Sequence, residues 1–73
     1  MIEGSQIDWG AHNKDSAHTL SEAIDFDNAA GAVLEWAKQD KNTLVIITAD
    51  HECGGLTLHG YNAKDKTPVM HFS

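Results

Sequence analysis

The stretch Thr43-Leu44-Val45-Ile46-Ile47-Thr48-Ala49-Asp50-His51 decides the fold class. Residues 43–49 are β-branched or apolar almost without interruption, the composition of a buried strand. Strands covered on both faces belong mainly to parallel sheets flanked by helices, so a helix followed by this strand makes an α/β unit. Asp50 and His51 then stand at its carboxyl end, where open α/β sheets place their ligands. An N-cap aspartate beside a surface histidine would write the same two letters, and both readings stand on this segment alone.

Upstream, Thr19-Leu20-Ser21-Glu22 has the Thr-x-x-Glu form of a capping box, and Asp25 and Asp27 add negative charge near a helix N-terminus. A helix is predicted to start near residues 19–27. Phe26, Ala29, Ala30, Val33, Leu34 and Ala37 recur at helical spacing and form its core-facing side, while Asp27, Asn28, Glu35 and Lys38 fall mostly opposite. Trp36 on that helix reads as core or flank. Gly31 marks either a close backbone approach or simple tolerance, at a cost of roughly 1 kcal/mol relative to Ala. Near the N-terminus, Gly4-Ser5 reads as the exit of a strand into a loop. Beyond Gly54-Gly55, Leu56–His59 alternates, Gly60–Lys66 is turn-like and Val69–Phe72 returns, which predicts a β-hairpin.

The chain has 73 residues, and a chain so short buries only about 60% of the surface it exposes unfolded. A parallel α/β sheet needs several strands and crossovers, so residues 1–73 are expected to be a fragment of a single larger domain. Five Lys and no Arg stand against eleven Asp+Glu, for a net charge of −6. That balance lacks the electrostatic footprint of nucleic-acid binding and argues against an anionic membrane surface. No run reaches the roughly 18 apolar residues of a membrane span, and no basic, apolar, small-residue series marks an export signal. Cys53 is the single cysteine, which excludes an intramolecular disulfide and an all-thiolate zinc cage.

The excess carboxylates are either solvated faces or cation ligands. Three groups carry ligand chemistry: Glu3, Asp8 with His12, and Asp50 with His51. Asp8 and His12 are four residues apart, so a helical turn puts a carboxylate and an imidazole on one face, a donor pair suited to zinc. The same spacing arises on exposed helices that hold no metal.

Met1-Ile2-Glu3-Gly4-Ser5-Gln6-Ile7-Asp8 with His12, an intervening helix, and Thr48-Ala49-Asp50-His51 together resemble two consecutive motifs of alkaline phosphatase, over nearly the whole chain. The resemblance implies a section of a mainly parallel α/β catalytic domain. It also implies that Glu3 binds magnesium, that Asp8 and His12 bind one zinc ion, and that Asp50 and His51 bind the other. Glu52, Gly54, Gly55 and Leu56 are similar to a bacterial form of the second motif, in which Thr is common at the position of Cys53. The implied reaction is hydrolysis of phosphate monoesters through a phosphoseryl intermediate. By family habit it also implies a homodimer and a periplasmic or secreted home.

The departures are equally specific. No segment matches the family's nucleophile region, so Ser5, Ser16, Ser21 and Ser73 are not read as the nucleophile, and the phosphate-gripping Arg is absent. The family's remaining magnesium ligands and its third zinc-binding His are also missing, and the surroundings of His71 do not match. Trp9, beside the first zinc-ligand Asp, either packs or alters a phosphate contact. Cys53 is read as a small residue at a turn, with adventitious binding of a soft metal as the other reading. The isolated chain is expected to be inactive. The alternatives are a non-catalytic zinc- or magnesium-binding module whose folding is driven by metal, and a related metal-dependent phosphomutase.

Overall fold

A computed structural model describes residues 1–73. The chain forms two helices and a hairpin in the order α1 (Ser5–His12), α2 (Ser16–Asp40), β1 (Thr57–Tyr61) and β2 (Pro68–His71). No helix is long and apolar enough to cross a membrane.

Helix α1 begins at Ser5, directly after Gly4, so the predicted strand exit at Gly4-Ser5 is corrected: residues 1–4 form no strand and the helix opens at once. Eight residues are too few for a helix to persist alone in water. The support comes from α2. Asn13, Lys14 and Asp15 turn the chain, their amides donating to the carbonyls of Trp9, Ala11 and Gly10. The two helices then touch where a Cβ on Gly10 would stand 2.9 Å from the Thr19 nitrogen and hydroxyl.

The N-terminus of α2 lies earlier than the capping box predicts. Asp15 is the N-cap, its carboxylate accepting from the His18 amide at 3.0 Å. Thr19, read as the cap, instead donates its hydroxyl to the Asp15 carbonyl at 2.7 Å and is buried in the first turn. Aspartate is as good an N-cap as threonine, and the hydroxyl finds an equally local partner one turn back. The helix ends at Lys41, whose left-handed backbone (φ 63°) returns its amide to the Ala37 carbonyl. Phe26, Ala30, Val33 and Ala37 are half-buried, while Ala29 and Leu34 are exposed. Trp36 is exposed as well, on the flank rather than in a core.

Residues 43–49 form no strand. Leu44 is 84% exposed and Ile46 76%, against the expectation of a strand covered on both faces. A strand exists only through the partners of its backbone amides and carbonyls, and the one sheet present is the two-stranded hairpin. No parallel sheet forms within these 73 residues. The radius of gyration, 15.4 Å, exceeds the roughly 11 Å of a compact domain of this length, and only Gly10, Ala11 and Thr19 are buried.

The predicted hairpin forms, antiparallel, with Thr57 opposite His71, Leu58 opposite Met70 and Tyr61 opposite Pro68. Three residues of β1 thus match two of β2, a one-residue bulge that Gly60 (φ +98°) accommodates. The bulge carries β1 two residues past the predicted end at His59. In the connecting loop Asp65 accepts from the Thr67 hydroxyl at 2.7 Å and the Thr67 amide at 3.1 Å. These bonds hold its carboxyl below the ordinary range, the hydroxyl contributing most.

The two helical glycines are predicted to respond oppositely to Ala. Gly10→Ala overpacks the helix crossing and destabilises by about 1–3 kcal/mol. Gly31, with nothing within 4 Å of an added Cβ, is simple tolerance, and Gly31→Ala stabilises by roughly 0.5–1 kcal/mol. Urea titrations followed by helical circular dichroism check both signs.

At the hairpin, a depressed folded pKa means that the Asp65 contribution is present above the ordinary carboxyl value and disappears as pH falls through the lowered one. NMR titration of Asp65 should show a midpoint below that of a model aspartate. Thr67→Val should move it back up; an unchanged midpoint would refute the assignment.

Candidate metal centre

Asp8 lies on α1 and His12 is the last residue of that helix, so the i, i+4 spacing brings them together as the helical turn predicts. The His12 Nε2 is 3.5 Å from Asp8 Oδ2. The second motif arrives on the other side of the same carboxylate, with His51 Nε2 3.7 Å from Asp8 Oδ1 and 3.5 Å from Asp50 Oδ2. Asp8 therefore stands between the two histidines, which are 39 residues apart in sequence. Glu3 makes no ion pair or hydrogen bond with this group, although it lines the same cleft.

Local bonds orient the parts. His51 Nδ1 is 2.9 Å from the Glu52 carbonyl, a contact that only a protonated Nδ1 can make as a hydrogen bond. The His51 Nε2 faces two carboxylate oxygens, one of Asp8 and one of Asp50. All the distances among these groups exceed those of good hydrogen bonds. Asp8 Oδ1 is moreover buried with no hydrogen-bond partner. Oxygen and nitrogen atoms gathered at these distances without good hydrogen bonds between them are an arrangement that a cation would tie together. The donor set of carboxylate and imidazole fits a divalent ion of the zinc type. Imidazole held through its other nitrogen by a backbone carbonyl is also the usual arrangement of a metal-ligating histidine.

The contact that delivers the second motif is the loop Glu52–Gly55. Cys53, open in sequence between a turn residue and an adventitious soft-metal ligand, points its Sγ at the Asp8 backbone carbonyl, 3.9 Å away. Its sulfur, an Asp8 carboxylate oxygen and a His12 nitrogen lie within 4.8 Å of one another. Partial burial, and after it the neighbouring Asp8, push the thiol above its ordinary pKa. Gly54 follows at φ +82°, so close to α1 that a Cβ would stand 2.7 Å from the Ala11 carbonyl oxygen. Glu52 closes the turn by accepting from the Gly55 amide at 3.1 Å. Lys14 donates to the Gly54 carbonyl at 3.3 Å and also to the Ser73 carbonyl, tying the loop to the C-terminus.

Trp9 is more than half exposed and borders a cleft of about 1060 Å³ that runs from the ligand group along residues 43–49 to α2. His59 and His71 lie apart on the hairpin, their rings edge to face at 5.9 Å.

These features define a metal-ligand type of site on two separated motifs, and comparison with known proteins gives its family. The family model for alkaline phosphatase matches residues 1–72. The chain is 52% identical over 65 residues to alkaline phosphatase 4 of Bacillus subtilis, covering 89% of this chain and 14% of that protein. It is 50% identical over 58 residues to alkaline phosphatase 3 of the same organism, covering 80% and 13%. With the streptomycin-6-phosphate phosphatase of Streptomyces griseus it shares 46% identity over 51 residues, covering 70% and 11%. The chain belongs to the alkaline phosphatase family, and it spans about one seventh of the length of the first two of these relatives. No solved structure matches it.

Gly54→Ala is predicted to undock the loop, because the positive φ and the Ala11 contact each oppose a side chain, at a combined cost of about 1–3 kcal/mol. Cys53 should then react faster with a thiol-specific disulfide reagent. A rate equal to that of the unsubstituted chain would show that the docking does not depend on the glycine.

Proposed function

We propose that this chain is the metal-ligand section of an alkaline phosphatase catalytic domain, whose longer form hydrolyses phosphate monoesters. The observation that carries the reading is the Asp8 carboxylate held between His12 and His51, with a buried oxygen that has no hydrogen-bond partner. Family membership supports it.

In this reading Asp8 and His12 hold one zinc ion, Asp50 and His51 hold a second, and Glu3 holds magnesium. When bound, paired cations clamp the attacking and leaving oxygens of the phosphoryl group and neutralise its charge. The chain's own contribution is to position donors. Helix α1 fixes the Asp8–His12 spacing, the Glu52 carbonyl orients His51, and the Gly54 loop brings the two motifs into register. Glu3 reaches its partners only when other ligands for the same ion join it, since it stands apart from the zinc-type group within these residues.

The nucleophilic Ser and the phosphate-binding Arg come from residues outside this sequence. Phosphoryl transfer depends almost wholly on positioning and charge stabilisation, so 73 residues that lack the group to be positioned carry no appreciable turnover. The parts of this reading are separately testable. Calorimetric titration with zinc should show binding that Asp8→Asn and His51→Gln each weaken by about tenfold or more. A chromogenic aryl phosphate with added zinc and magnesium should remain intact. Clear turnover by the purified chain would overturn the assignment of the nucleophile elsewhere, and unaltered zinc affinity in Asp8→Asn would overturn the ligand assignment.

A further inference from the structure

We propose that Cys53 is a third metal ligand: its sulfur joins the Asp8 carboxylate and the His12 imidazole in a mixed oxygen, nitrogen and sulfur centre for a borderline or soft divalent cation. The inference rests on the reading of Asp8 and His12 as ligands and adds a donor to it.

Three observations carry it. The ligand atoms of Asp8, His12 and Cys53 lie within 4.8 Å of one another. Zinc bonds of about 2.0–2.3 Å place donors roughly 3.3–3.8 Å apart in a tetrahedron, so the present spread closes by about 1 Å. His12, 69% exposed at its side chain, is free to swing inward by that amount. The second observation is that Asp8, whose Oδ2 is 3.5 Å from His12 Nε2, keeps its other oxygen, Oδ1, buried and without a hydrogen-bond partner. The third is the mounting of the sulfur. Cys53 is held over the Asp8 carbonyl by a loop that only a glycine at position 54 allows so close to α1.

A thiolate changes which ion the centre prefers. Carboxylate and imidazole alone accept zinc, cobalt and harder ions, whereas sulfur shifts the preference toward zinc and cadmium and away from magnesium. Binding forms the sulfur–metal bond as the thiol proton leaves to solvent, so no oxidant or reductant takes part. Three protein ligands leave a fourth position open, as catalytic rather than structural zinc sites do.

Cobalt(II) titration of the full chain under reducing conditions tests this, because thiolate ligation produces a near-ultraviolet sulfur-to-cobalt charge-transfer band and oxygen or nitrogen ligation does not. The unsubstituted chain should develop that band together with visible ligand-field absorption, the band itself saturating with one cobalt bound at the Cys53 centre. Cys53→Ser should lose the band and bind cobalt about 10–100-fold more weakly. Cys53→Asp should recover affinity without the band. Asp8→Asn should weaken band formation to a similar degree. Ligand-field absorption with no charge-transfer band in the unsubstituted chain overturns the sulfur ligand while leaving the Asp8–His12 reading intact. A full band in Asp8→Asn shows sulfur binding metal elsewhere and overturns the shared centre. No cobalt binding by the unsubstituted chain overturns both. Because the decisive spectrum is that of the unsubstituted chain, a variant that fails to fold does not blunt the test.

Discussion

The docking of the Glu52–Gly55 loop against the end of α1 is the contact on which the site depends. Without it, Asp8–His12 and Asp50–His51 are two unrelated pairs on a chain with almost no core. The contact is made chiefly by backbone: the Gly54 main chain lies against the Ala11 carbonyl, and the Cys53 thiol reaches the Asp8 carbonyl. Backbone contacts of this kind tolerate only residues that keep out of the way. Both glycines also take positive φ (+82° and +66°), so the Gly-Gly pair serves the turn as well as the close approach. Lys14 adds a charged tie from the helix connection to both the loop and the C-terminus, so three separated parts of the chain meet at one point.

What could be read from the sequence divides along the range of the interactions. The Asp8–His12 pair was legible because both residues sit on one helix and their separation follows from its pitch. The hairpin was legible for a similar local reason, apart from the bulge, which Gly60 signals and which the alternation of Leu56–His59 conceals. The start of α2 was misjudged because two good caps lie four residues apart, and the choice between Asp15 and Thr19 turns on which side chain finds its bond first. Convergence of Asp8 with His51 has no local signature at all. It followed from resemblance to a family, not from any periodicity. The same holds for Cys53, whose nearness to His12 arises from folding and left only a lone cysteine before two glycines as a trace.

Residues 43–49 show the opposite failure: the composition predicts a strand, but no strand forms there because nothing in these residues pairs with it. Full burial of a Leu or Ile side chain contributes about 1.5–3 kcal/mol. Leu44, Ile46 and Ile47, all more than half exposed, leave several kcal/mol of that unrealised, a sum comparable with the 5–15 kcal/mol that separates folded from unfolded domains. The chain's small share of its relatives' length is consistent with partners for this strand lying in the rest of such a protein. The open cleft between this segment and α2 is where such partners would remove the apolar side chains from water.

Electrostatics then joins the site to the fold. A chain of net charge −6 with no Arg has few internal means of neutralising a cluster of carboxylates, and at this site the nearest groups are histidines at distances too long for strong hydrogen bonds. A cation bound there would tie these groups together and would also cross-link α1 to a segment some forty residues downstream. Closing so long a loop costs conformational entropy whether a metal or an apolar core closes it. Here the core is nearly absent, so in the proposed metal-bound form the ligand–metal bonds would supply a large share of the closing free energy. On the proposed reading, metal binding and the α1–loop contact are linked, and each favours the other by the same factor.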